Sequence, residues 1–200
     1  MIILGIDARN YQKLSHSIIW ANRFAASTSF GNQKLLYYMG GVDAWLIPQF
    51  NQETEVSENE NYSYQTLATN MRGFNQNVRN GSSFFVINTE VRIPLFKYII
   101  RRPITSDFLN NFQITSFADF GTAWNGTSLL SEKNQINYEV IENGPVTFTI
   151  DKQKNLFIGG FGFGVRSRLL GYFLRIDWAW GVEDSYILPN ILYISLGLDF

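Results

Sequence analysis

Arg72 stands in Met71-Arg72-Gly73-Phe74, and two carboxylates follow it: Glu90 in Asn88-Thr89-Glu90-Val91-Arg92-Ile93-Pro94 and Asp119 in Phe117-Ala118-Asp119-Phe120-Gly121. An arginine in a polar loop is ordinarily solvated, and pairing requires acids that share one surface. Period-two alternation puts Asn88, Glu90 and Arg92 on one side of their strand, and Gln113, Thr115, Asp119 and Gly121 on one side of the next. One inward wall therefore offers Arg72 two carboxylates. The chemistry is recognition rather than turnover, because a planar guanidinium between carboxylates makes bidentate, charge-assisted bonds that lysine cannot copy. Gly73 permits a sharp tip. Gly160, Gly162 and Gly164 precede Arg166 and strip side chains from an inward face where a loop must approach the wall. A phosphate loop is the other reading of these glycines. It would need a strand-to-helix transition, which period-two spacing around Phe161 and Phe163 does not suit.

The inventory for catalysis is poor. His16, the single histidine, adjoins a predicted turn at 12–15 and reads as a solvated boundary residue. With zero cysteines there is no thiolate metal site and no disulfide framework. No metal site, cofactor or catalytic residue is expected, and the protein is not read as an enzyme. Glu53, Glu55, Glu58 and Glu60 lie among Asn, Ser and Gln, as in an exposed flexible loop rather than a calcium site. A formal net charge of −1 supplies no basic field for nucleic acid.

The elements that must position these groups are strands. Charged residues make up 16% of the chain, against about 25% in soluble domains, while aromatics reach 16% and hydrophobic residues 46%. No apolar run approaches the roughly 18 residues of a spanning helix, which leaves the β-barrel as the other spanning structure that satisfies its own backbone. Seven strands are predicted, near 2–10, 16–30, 83–96, 112–123, 157–168, 171–181 and 191–200, and the connections between them are alternately short and long. Ile114, Ala118, Phe120, Leu174, Ile176, Trp178, Trp180, Leu192, Ile194, Leu196, Leu198 and Phe200 face out. Asp7, Arg9, Arg23, Arg175, Asp177, Ser195 and Asp199 face in, with the first three as a structural network. Trp20, Trp178 and Trp180 suit lipid-facing anchors. Seven is odd and leaves two unpaired edges, so the expected fold is all-β: about seven C-terminal strands of a larger antiparallel transmembrane barrel. Residues 1–7 show none of the features of a signal peptide and read as strand interior.

In this order the motifs resemble those of the Omp85 superfamily, the surface-antigen-like outer-membrane barrels that insert or export other proteins. The resemblance adds Tyr37-Tyr38-Met39-Gly40-Gly41, Leu174-Arg175-Ile176-Asp177, and the terminal Phe200 as the C-terminal assembly signal. It spans nearly the whole chain, as the C-terminal portion of a barrel of about sixteen strands, with an extracellular loop at 31–82 carrying the Arg-Gly-Phe motif. It implies that this loop folds back into the lumen and that Arg72 pairs with Glu90 and Asp119, with Asn88, Arg92, Gly160, Gly162, Gly164 and Arg166 as other wall residues. It also implies outer-membrane lipid, client proteins, an N-terminal barrel half and a periplasmic module as partners. The rival expectation is a small outer-membrane barrel acting as a lipid-modifying enzyme, ligand binder or passive pore.

Overall fold

The computed structural model describes residues 1–15, 17–57, 60–100, 102–126, 128–130, 138–143, 146–151 and 155–198. His16, Glu58, Asp199 and the assembly signal expected at Phe200 lie outside them. Along the chain run β1 (Ile2–Lys13), β2 (Ile19–Phe30), β3 (Lys34–Met39), β4 (Tyr62–Leu67), β5 (Arg79–Gly81), β6 (Ser83–Ile93), α1 (Leu95–Ile99), α2 (Asp107–Asn110), β7 (Gln113–Trp124), β8 (Tyr138–Asn143), β9 (Val146–Asp151), β10 (Ile158–Leu169), β11 (Tyr172–Glu183), β12 (Tyr186–Ile187) and β13 (Ile191–Leu198).

The fold is all-β around one large antiparallel sheet. Its long strands follow the order β1-β2-β6-β7-β10-β11-β13, and β12 adds a short rung on β11. Each long strand pairs with the preceding one, so β1 and β13 are the edges and run in the same direction. The sheet is open, with no pairing between β1 and β13 among the described residues. A two-residue turn joins β10 to β11, and positive φ angles at Leu170 (52°) and Gly171 (85°) match the hairpin geometry that follows strand twist. No described helix is long and apolar enough to cross a membrane, which says nothing of strands.

Alternation sorts the two faces. The outer face exposes Leu4, Trp20, Phe24, Ile87, Phe120, Phe161, Phe163 and Leu192, among others, from strand after strand. Phe161 stacks on Trp180 and Phe163 on Trp178, both with ring centroids 5.9 Å apart. An apolar face this continuous marks a membrane or an interaction surface. The inner face carries the core, which lies between the wall and the loop following β2. Met71, Phe74, Tyr37, Met39 and Val78 of the loop pack with Ala25, Phe84, Val86, Ala123 and Ile158 of the wall.

Several boundaries depart from the expectations. The loop at 31–82 holds a three-stranded sheet of its own, in which β3 pairs with β4 in parallel and with β5 in antiparallel. Glu53 and Glu55 are exposed, as expected, while Glu60 pairs with Lys34, and the Asn77 and Asn80 amides donate to the carbonyls of Asn51, Thr54 and Glu55. Burial, with Glu60 close by, pushes the Tyr62 phenol up, and its hydroxyl donates to Asn125 Oδ1 at 2.8 Å. The strand expected to 96 stops at Ile93, because Pro94 lacks the N–H that continues a ladder. The connection after it forms two short helices, and Ser106 Oγ accepts from Leu109 N–H at the start of α2. The strand expected at 2–10 runs on to Lys13, and the one expected from 16 begins at Ile19.

Candidate functional site: an arginine lock between loop and wall

The site forms where the loop tip at 71–74 meets the inner faces of β6, β7, β10, β11 and β13. Arg72 is buried, at 4% exposure. Its Nε donates to Asp119 Oδ2 at 2.7 Å and its Nη2 to Asp119 Oδ1 at 2.7 Å, a two-pronged fork, and its own backbone N–H reaches the same Oδ2 at 3.0 Å. Nη1 donates to Glu90 Oε2 at 3.1 Å and lies 3.8 Å from Asp177 Oδ2. The guanidinium carbon stands 3.5 Å from the centroid of the Phe117 ring, so the cation also rests on a π face.

Wall residues hold the carboxylates in turn. Asn88 Nδ2 donates to Asp119 Oδ1 at 2.8 Å and to the Asn70 carbonyl at 2.9 Å, linking wall and loop a second time. Glu90 accepts from Arg92 Nε at 2.6 Å and from Arg166 Nη2. Arg175 Nε lies 3.7 Å from Asp177 Oδ2. Buried charges are tolerated only when so compensated, and removing one member strands the others. Asp7 bridges Arg9 at 3.0 Å and Arg23 at 2.7 Å farther along the inner wall.

The glycines make room in three different ways. A β-carbon on Gly160 would fall 1.8 Å from the Arg72 carbonyl oxygen, so here the wall meets the loop backbone. One on Gly162 would meet the Trp178 carbonyl oxygen at 2.0 Å and the Phe117 ring at 2.8 Å, and one on Gly164 the Asp177 carboxylate at 2.0 Å, so these two admit the neighbouring wall strands rather than the loop. Gly73 has φ 96°, in the left-handed region, and a β-carbon there would press on Gly181 N at 2.5 Å. Gly40-Gly41 forms the other side of the tip: Gly41 N–H donates to the Phe74 carbonyl at 2.9 Å and Met71 N–H to the Gly41 carbonyl at 3.0 Å.

The structure thus brings Met71, Arg72, Gly73 and Phe74 together with Glu90, Asp119, Asn88, Gly160 and Arg166 in one buried cluster, with Arg92 on its more exposed side. Four participants were not assigned to Arg72 from sequence. Phe117 shares the inward parity of Asp119, and Asp177 that of Arg175, so parity could have nominated both. Tyr193 shares the parity of Ser195; its hydroxyl accepts from Gly73 N–H at 2.9 Å and donates to the Phe74 carbonyl at 2.8 Å. Gly181, directly opposite Gly160, had no signal beyond its residue type. Compared with protein-family models, curated proteins and solved structures, the chain matches none.

Proposed function

We propose that the chain is the C-terminal portion of an Omp85-type outer-membrane barrel that inserts client proteins into the outer membrane or passes them across it. The observation that carries this reading is the lock itself: a loop arginine, buried against the sheet's inner face, forked on Asp119 with Glu90 and Asp177 beside it. Two further features support it. The outer face is apolar along strand after strand, and most long strands have 11 or 12 residues, enough for the roughly 9–11 that a tilted spanning strand needs.

In this reading the lock braces the lumen from inside, and lipid covers the outer face. Strand β13 forms one side of a seam that opens to template or admit client strands. Strand β1 continues into the remaining strands of the barrel, and a periplasmic module delivers clients. The chain's residues position and hold, and none turns over a substrate.

The test is Arg72→Ala in the full-length protein, scored by the abundance of other outer-membrane and exported proteins. Their loss, with the variant itself still in the membrane, is the expected result. Wild-type client levels would overturn the reading.

A passive pore is favoured by one observation: a polar vestibule of about 530 Å³ beside the lock, lined by Arg9, Tyr11, Arg23, Arg92, Arg166 and Arg175 among others. It would give steady, anion-preferring conductance in a planar bilayer. The apolar plug of Met71 and Phe74 opposes such a current, so a silent bilayer favours the assembly reading.

A further inference from the structure

The free edge of β13 already has an occupant. Leu46 N–H donates to the Ile194 carbonyl at 2.9 Å, Leu196 N–H donates to the Ala44 carbonyl at 3.4 Å, and Trp45 stands opposite Ser195 in an isolated antiparallel bridge. These are the bonds an added strand would make. The other edge of β13 is taken by β11 over residues 191–198, so residues 44–46 sit where the next strand of a barrel belongs.

The hold on the β13 edge is short. Asp43, Ala44, Leu46 and Ile47 are exposed, and Ala44 has φ 51°, a conformation that L residues rarely adopt. The Trp45 ring secures the segment from within, 4.7 Å from that of Tyr193, the residue whose hydroxyl also clamps the Arg72 tip, and Asp43 is its fixed end, with its N–H donating to Asn70 Oδ1 at 2.7 Å and its carbonyl accepting from Arg175 Nη2 at 3.1 Å. By strand parity Leu192 and Leu198 present their backbone groups to the same edge as Ile194 and Leu196. A full-length partner strand would therefore satisfy four residues where residues 44–46 reach two.

We propose that residues 44–46 are a displaceable pseudo-strand, an internal occupant that satisfies the β13 edge at rest and yields to an extended, antiparallel client strand with one apolar face. The proposal rests on the assembly reading above and adds its regulation. An open edge facing hydrocarbon is costly, so the seam needs a resting partner. A partner bonded at two points, in a strained conformation, is readily exchanged for one bonded along the whole strand.

The cysteine-free chain permits a direct test. Trp45 and Ser195 form a non-hydrogen-bonded pair, whose Cα atoms lie about 4.5 Å apart, within disulfide range. The full-length protein carrying Trp45→Cys and Ser195→Cys is placed in lipid vesicles, with a urea-unfolded small outer-membrane barrel as client, and oxidised and reduced samples of the same protein are compared. The disulfide is expected to form at rest, to slow client folding about tenfold, as two retained hydrogen bonds would, and to release it on reduction. Leu46→Pro, which deletes the donor to Ile194, is expected to accelerate client folding about fivefold.

Failure of the disulfide to form overturns the pairing. Equal client folding in oxidised and reduced samples overturns the pseudo-strand while leaving the assembly reading in place. If the wild-type protein does not accelerate client folding at all, the assembly reading fails and the pseudo-strand fails with it.

Discussion

A β-carbon on Gly160 would stand 1.8 Å from the carbonyl oxygen of Arg72, so wall and loop tip meet backbone to backbone at the centre of the lock. Neither side can yield easily: Arg72 is fixed by its fork on Asp119, and Gly160 by pairing to Asp119 on one side and Gly181 on the other. Gly160→Ala is expected to cost about 3 kcal/mol, the upper end for overpacking. The heat needed to convert the folded to the unfolded gel mobility measures it.

Arg72→Ala leaves Glu90, Asp119 and Asp177 buried without their shared cation and is expected to destabilise by about 3–5 kcal/mol. Arg72→Lys keeps the charge but loses the fork, so it recovers only part of that. The double variant Arg72→Ala, Asp119→Asn should fall short of the summed losses by about 1–3 kcal/mol. Strictly additive urea midpoints would show that the pair is not coupled.

Tyr193→Phe deletes one hydroxyl and orphans two backbone groups, Gly73 N–H and the Phe74 carbonyl. The expected loss is about 1–3 kcal/mol, concentrated at the tip. Because Arg72 is itself a trypsin site, faster cleavage after Arg72 in an otherwise intact protein reads that local opening, and an unchanged rate would show that the clamp is dispensable.

Trp178 and Trp180 stack with Phe163 and Phe161 on the outer face, whereas Trp45 packs against the inward-facing Tyr193. In vesicles with acyl-chain-brominated lipid, a variant retaining only Trp178 should be strongly quenched and one retaining only Trp45 should not. Equal quenching would show that the outer face does not meet lipid.

Period-two alternation made much of this legible in the sequence. The strand around Glu90 and its neighbour around Asp119 have one polar face and one apolar face, and that contrast alone sets their inward parity. The loop was less readable. Lys34–Met39 and Tyr62–Leu67 pair in parallel across a long polar stretch, a non-local choice that no local pattern announces. Asp177 was visible as inward-facing, but its nearness to Arg72 depends on where the tip comes to rest. That position is decided by packing of Met71 and Phe74 into the core, and by room left at Gly160 and Gly181. Leu95–Ile99 buries no side chain, so its helix leaves no amphipathic stripe to read.

The clamp of Gly73 by Tyr193 joins residues 120 positions apart, whereas the fork of Arg72 on Asp119 spans 47. The large sheet can grow hairpin by hairpin, because each long strand pairs with the preceding one, but the tip cannot be clamped before β13 arrives. Seating of the loop is therefore a late event in folding. In pulse-labelled hydrogen exchange the Gly73 amide should gain protection only after those of β6 and β7. A chain that stalls before β13 keeps its loop tip unclamped, and the closed tip serves as a molecular record that the strands from β6 to β13 were put in place.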